Sequence, residues 1–363
     1  SARGNPKKKV KGIKDLLSLK PDIAIMEPTG INYQKVWGNI LAQNGVEVRL
    51  ISHRALSTHR DHLDLPDKED ETDSFALAHY GLQNLNNKSK FLTIREQPIN
   101  RIRELCLRLE HLNRVQNPII NRMRQDLAWQ FPEISQRQIR RKGYTVPIFY
   151  RWLAEESQSK KYDREYSETV GLGLTDDVRL HAQRLCDLQR EEIKIEKELD
   201  PLINDPQFFS YRKVFTEFRF GFRHQAILIS QIYPFENFLG EDGKPIVVFK
   251  RSTKKSKNSH TKRYLSRRRF EKMLGVAPTE NSSGNQSKKK VVGGSSLCRK
   301  LFWQWIYTSV QPMQARKNNP ILCEIHEWMN RPKLQGTPYR LLMMKTASHA
   351  ARLLFKRLVE ELT

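Results

Sequence analysis

Three carboxylates near the start of the chain have the types and spacing to hold a divalent cation. Glu27 closes the apolar run IAIME (Ile23 to Glu27), and Asp70 and Asp73 stand three residues apart in DKEDETDSFALA. On a helix that spacing puts two side chains on one face. A strand-end carboxylate converging with such a pair offers the oxygen ligands Mg²⁺ takes while keeping water or phosphate oxygens in its shell. Two such ions clamp the attacking and leaving oxygens of a phosphodiester. The plainer reading of Asp70 and Asp73 is that they favour a helix N-terminus. A second constellation lies in LGVAPTENSSGNQSKKKVVGGSSLCRKLFWQW, Leu274 to Trp305, where Ser282, Ser283, Ser287, Ser295 and Ser296 are hydroxyls in a polar, basic loop. Nearby cations can hold a phosphate against such a nucleophile. Most loop serines only make turns, and the residues alone do not choose among these.

The elements that must position these groups follow from periodicity. A short amphipathic helix is expected from Ile13 to Leu19 and a buried strand over Ile23 to Glu27. The segment Asn32 to Gln43 reads as a helix with Val36, Trp37, Ile40 and Leu41 on one face, stopped by Asn44-Gly45, and Val46 to Ile51 reads as the next strand. Strand, helix, strand is a βαβ unit, which implies a parallel sheet with sites at the strand C-termini. The polar stretch after His53 reads as a loop, and its His53, His59 and His62 lack a fourth ligand for zinc. Phe75, Ala76, Ala78 and Leu82 then mark a helix.

Two long helical patterns follow. Leu105, Leu109 and Leu112 recur from Ile102 until Asn117-Pro118, expected to kink or interrupt the helix, and Ile119, Met123 and Leu127 resume the pattern. Leu185, Leu188, Ile195, Leu199 and Leu202 form the second run. The two are the arms of an antiparallel hairpin or coiled coil, serving dimerisation or packing within the chain. Lys250 to Arg269 reads KRSTKKSKNSHTKRYLSRRR, with ten Lys or Arg and no acid. It is expected to be a mobile loop until it meets phosphate, or a solvated insertion.

Composition narrows the function classes. The 363 residues carry 64 Lys and Arg against 40 Asp and Glu, a net charge of +24. That charge opposes compaction unless a polyanion offsets it, so nucleic acid is the expected partner. With 16 Phe, 11 Tyr and 6 Trp the chain is too aromatic for a disordered basic tail. Cys106, Cys186, Cys298 and Cys323 form no CxxC pair, which argues against a zinc finger and a disulfide framework. No apolar run approaches the ~18 residues of a membrane span, so a cytoplasmic protein with no membrane partner is expected.

EPTGINYQKVWGNILAQNGVEVRLISHRAL followed by DKEDETDSFALA resembles the DEDD-type insertion-sequence transposases, whose catalytic domain is RuvC-like, of the RNase H type. Their motif matches Glu27 in E-x-TG and Asp70 and Asp73 in D-x-x-D. Further on, EIKIEKELDPLIND, FENFLG, LGVAP, SSG, GGSSLCRKLFW and the closing KTASHAARLLFKRL are similar to the family's C-terminal serine domain. The resemblance implies Ser283, before Gly284, as nucleophile and Arg299 as the arginine of an LR motif. It implies Mg²⁺ on Glu27, Asp70 and Asp73, and DNA cleaved and rejoined through a covalent serine ester at a site composed from both domains. A structured guide RNA and a homodimer or tetramer are likewise implied.

The expected architecture is therefore an α/β RNase H-like (RuvC-like) domain over 1–95, incomplete at its N-terminus, a helical coiled-coil hairpin over 96–205, and a mainly α C-terminal domain over 206–363 with a basic insertion at 244–269. Lys250, Arg251, Lys254, Lys255, Lys257, Lys262, Arg263, Arg267, Arg268, Arg269 and Arg299 are the expected nucleic-acid contacts. The family's first strand, with its Asp in a GIDV-like run, has no match before Glu27, since Asp15 and Asp22 stand in another context. On that ground the first hundred residues are expected to be loosely folded and the chain inactive in cleavage. FRFGFRH (Phe218 to His224) stands where the family has a P-G-x-G turn. The alternative to an enzyme is a non-catalytic DNA- or RNA-binding remnant. Tyrosine recombinase chemistry, suggested by His349 and Arg352 in H-x-x-R, fails because no tyrosine follows Tyr339.

Overall fold

A computed structural model describes residues 6–28, 34–65, 69–87, 90–92, 97–251, 260–277, 279–283, 286–290 and 293–363. The chain divides into two units, 1–96 and 97–363, and is mostly helical with small sheets.

The first unit begins with α1 (Pro6–Ser18), then β1 (Ile23–Met26), α2 (Gln34–Gln43) and β2 (Glu47–Leu50). β1 and β2 pair in parallel, Ile23 opposite Glu47 through Met26 opposite Leu50, so the expected βαβ alternation is present. The polar stretch after Ser52 is a helix, α3 (His53–His62), where a loop was expected. The Ser52 hydroxyl caps it by accepting the Ala55 N–H at 3.2 Å, and Leu56 and His59, three apart, form its buried stripe. A histidine in a place usually held by an aliphatic residue hides the periodicity. α4 (Asp70–Gln83) follows, and Gly81 lets it approach β1, because a Cβ there would stand 2.5 Å from Ile25 Cγ1. The unit's apolar centre is small: Ile51, Leu56 and Ala76, with Ile25, Leu77 and Tyr80 against them.

In the second unit α5 (Gln97–Gln130) runs through Pro118 as one helix rather than stopping there. A proline costs one backbone bond, and α9 (Asp176–Ile203) packs along α5 and supports it. Arg101 Nε meets Glu198 at 2.5 Å and Arg108 Nε meets Glu191 at 2.6 Å, seven residues forward on one helix and seven back on the other. The hairpin is antiparallel and forms within one chain. Between its arms lie α6 (Pro132–Ser135), α7 (Ile148–Leu153) and α8 (Lys160–Ser167). Phe131, Phe149, Tyr150 and Tyr162 from this insertion pack with Leu127, Val178 and Leu185 of the arms.

The larger core gathers α10 (Phe209–Glu217), α11 (Phe222–Ile232), α12 (Leu265–Met273), α13 (Ser296–Trp305), α15 (Pro320–Met329) and α16 (Tyr339–Leu362), while the short α14 (Met313–Arg316) buries no residue. FRFGFRH is part of it. Phe218 and Phe220 are buried and stacked at 5.6 Å, and Phe220 meets Trp305 at 4.8 Å. Arg223 reaches the buried Glu192 and Glu196 of α9, and Arg141 also reaches Glu196. These aromatics and ion pairs make the segment a core element.

Two antiparallel hairpins interrupt this helical unit. β3 (Val247–Arg251) pairs with β4 (His260–Tyr264), and β5 (Thr279–Ser283) with β6 (Gln286–Lys290). Both lie where polar loops were expected. The flanks of the charge run pair because β-branched and aromatic residues, Val247, Val248 and Phe249, favour a strand, and its last residues enter α12, anchored by the buried Phe270.

Candidate functional site

Glu27 directly follows β1, and its half-buried carboxylate is engaged by His53 Nδ1 at the start of α3. Asp70 is exposed and Asp73 half-buried in the first turn of α4, after the N-cap Glu69. Arg60 Nη1 meets Asp73 Oδ1 at 2.9 Å. His53 and Arg60 are seven residues apart on α3, about 10 Å along a helix axis, so Glu27 and Asp73 are held at separate points along α3. Among the described residues no three His, Cys, Asp or Glu side chains are grouped to hold a metal ion. The donor chemistry suits Mg²⁺, but the arrangement does not form one ligand shell. Of the histidines, His59 is buried and its Nε2 lies 3.0 Å from His79 Nδ1. Burial, then the neighbouring His79 and His62, hold its pKa below the usual imidazole value.

In the second unit Ser283 ends β5, opposite Gln286 in β6. Its following Gly284 lies outside the described residues. The base of this hairpin is pinned. Gly275 and Gly294 both have positive φ, +70° and +67°, and a Cβ on Gly294 would stand 2.5 Å from Gly275 Cα. Ser295 N–H donates to Met273 O at 3.1 Å. Ser295 also caps α13, its hydroxyl accepting the Cys298 N–H at 3.2 Å. Arg299 Nε donates to Gly275 O at 2.8 Å and its Nη2 to Gly293 O at 2.6 Å. Arg299 therefore braces the same crossing.

The cations divide by what holds them. Lys262 and Arg263 on β4 and Arg268 and Arg269 on α12 are exposed. Arg267 sits with its guanidinium 4.5 Å from the Tyr264 ring centroid and Lys262 Nζ lies 5.4 Å from it. Lys250 and Arg251 close β3, while Lys254, Lys255 and Lys257 lie outside the described residues. Behind this face the buried Glu271 accepts from Arg352 Nε at 3.0 Å and from the Ser348 hydroxyl at 2.8 Å, tying α12 to α16. Arg352 of the H-x-x-R box thus serves packing, and His349 stacks on Trp328 at 4.4 Å. Tyr264 and Glu271 were not singled out from sequence. An aromatic between cations was the available signal for Tyr264; for Glu271 the sequence offered only its i, i+4 spacing to Arg267, since Ser348 and Arg352 lie 77 and 81 residues away.

Residues 257–319, which span β4, α12, both strands of the Ser283 hairpin, α13 and α14, match a family model described as Transposase IS116/IS110/IS902 family. This match supports transposase function, and a transposase binds DNA. No curated protein matches the chain. No helix among the described residues is long and apolar enough to cross a membrane.

Proposed function

We propose that the chain is a serine-dependent DNA transposase of the DEDD type, with Ser283 as nucleophile. The observation that carries this reading is the coincidence of the matched segment with the pinned β5–β6 hairpin, in which Ser283 ends β5, and with the exposed cations of β4 and α12. The Ser283 hydroxyl displaces one deoxyribose oxygen from a backbone phosphate, its proton passing to the released sugar oxygen. The strand is kept as a serine phosphodiester, and the reverse displacement rejoins it without an external energy source. Lys262, Arg263, Arg268 and Arg269 neutralise backbone phosphates.

In this reading the first unit is the RuvC-like part, supported by its parallel β1–β2 pair and the place of Glu27 and the Asp70–Asp73 pair at element ends. Mg²⁺ on these acids requires Glu27 and Asp73 to exchange His53 and Arg60 for the ion. A guide RNA and a dimer or tetramer belong to the reading as partners implied by resemblance. The test is trapping of a covalent protein–DNA adduct on a denaturing gel. Ser283→Ala abolishes it while Ser282→Ala and Ser287→Ala retain some; an adduct surviving in Ser283→Ala removes the assignment.

A further inference from the structure

The insertion between the arms of the helical hairpin carries a second cationic surface, outside the matched segment. Between Glu133 and Glu155 the sequence has no acid and five cations: Arg137, Arg140, Arg141, Lys142 and Arg151. Ile139 and Val146 pack on the hairpin core at either end of the loop. Arg141 holds its middle by pairing with the buried Glu196. Glu196 is itself held by Arg223, whose Nε donates to it at 2.7 Å. Lys142 and Thr145 form an isolated antiparallel bridge, the Thr145 hydroxyl donates to Lys142 O at 2.8 Å, and Gly143 supplies the positive φ of +54°. The tip is thus a preformed turn.

That anchoring determines what is displayed. Arg140, Lys142 and Tyr144 are exposed on the loop, and Lys194 and Lys197, one turn apart, are exposed on α9. Lys197 Nζ lies 5.8 Å from the Tyr144 ring centroid, and Tyr144 is 46% exposed. Arg137, by contrast, is paired with Glu165 at 2.9 Å. Among the described residues, Arg140 meets the neutral Gln138, at 3.0 Å.

We propose that Arg140, Lys142, Tyr144, Lys194 and Lys197 form a binding surface for an unpaired nucleic-acid strand, with a base stacked on Tyr144 and its flanking phosphates on the cations. Charge complementarity selects a polyanion. The exposed ring among cations selects one with free base faces, because a base stacks on a side chain only where it is not already stacked in a duplex. A preformed turn lowers the ordering cost of binding. The inference rests on the reading of this chain as a nucleic-acid-processing protein, but places the binding surface on residues outside the matched segment 257–319.

The test uses the full chain and fluorescently labelled oligo-U, oligo-dT and a duplex. Tyr144→Leu is expected to weaken single-strand binding about fivefold or more and to leave duplex binding unchanged. Arg140→Gln, Lys142→Gln and Lys197→Gln together lower the slope of log K against log salt on a single strand by about 2, from about 0.7 per phosphate. Both variants keep the parent's melting temperature, since the altered side chains are exposed. Photo-crosslinking to an iodouracil-substituted strand places an adduct on the tryptic peptide Gly143–Arg151. Preference for oligo-U assigns RNA and preference for oligo-dT assigns single-stranded DNA, and either supports the surface. Parent-like single-strand binding in both variants, equal loss on the duplex with Tyr144→Leu, or displacement by polyglutamate as effective as by oligo-U overturns it. The Ser283→Ala adduct assay then still stands or falls by itself.

Discussion

Gly275 and Gly294 cross so closely that neither accepts a side chain: a Cβ on Gly275 would stand 2.5 Å from Ser295 O, and one on Gly294 would overlap the Lys272 carbonyl. The crossing brings together Gly275 of LGVAP and Gly294 of GGSS, nineteen residues apart in sequence, at the base of the hairpin whose first strand ends at Ser283. Gly294→Ala therefore carries both the left-handed strain, about 1–2 kcal/mol, and a backbone clash that forces the crossing open. Gly293→Ala, with φ +84° but open space around its Cβ, carries the strain alone. Denaturant titration should show the larger loss for Gly294→Ala, and equal losses would mean the close crossing adds nothing to stability.

Removing Arg223 takes a guanidinium from two buried acids. Glu196 keeps the cation of Arg141, whereas Glu192 keeps the neutral Gln116, whose Nε2 donates to it at 2.9 Å. Breaking a buried pair from one side costs about 3–5 kcal/mol. The expected order of stability in urea melts is parent, then Arg223→Met with Glu192→Gln, then Arg223→Met alone. A single variant as stable as the double would show that the acids are relieved by other means.

Acid should loosen the second unit through two imidazoles. His224 is held down to about 4 by burial and then by Arg223, and His349 to about 4 by burial and then by Arg352 and Arg331. Each is lowered from 6.5, so the unfolded chain takes up these protons first. Their contribution is complete above pH 6.5 and falls as pH drops toward about 4. For His224 it is on the order of 3 kcal/mol at most. His224→Leu and His349→Phe should each flatten the acid limb of stability measured by urea melts, and an unchanged limb in both excludes this cause.

In the proposed reading, Mg²⁺ and the ion pairs of the first unit compete for the same oxygens. If the acids take the ion, Arg60→Gln, which frees Asp73, should strengthen Mg²⁺ binding by calorimetric titration, and Asp73→Asn should weaken it. Indifference to both substitutions would remove Asp73 from the ligand set.

The cations of β4 and α12 are separable from the strands that carry them. Converting Lys262, Arg263, Arg268 and Arg269 to Gln should reduce the salt slope on duplex DNA by about 0.9 for each phosphate no longer neutralised, with the melting temperature little changed. An unaltered slope would mean this face never meets phosphate.

Much of the local structure was legible in the residues themselves. Apolar spacing marked β1, α2 and β2, and the recurrence of Leu105, Leu109 and Leu112 against Leu185, Leu188 and Leu199 marked the two arms of the hairpin, because one face of an element is encoded within a few turns of chain. The net charge pointed to a polyanion in the same way. Spacing failed where a polar residue took a buried place, as His59 does on α3, and where strand propensity in Val247 to Phe249 was masked by the charges beside it. Only the tertiary structure decided that α5 and α9 pair within one chain, that Arg299 braces Gly275 and Gly293, and that His53 and Arg60 engage Glu27 and Asp73. These partners are set by the path of the chain between distant segments, and no short-range pattern of residue types carries that information.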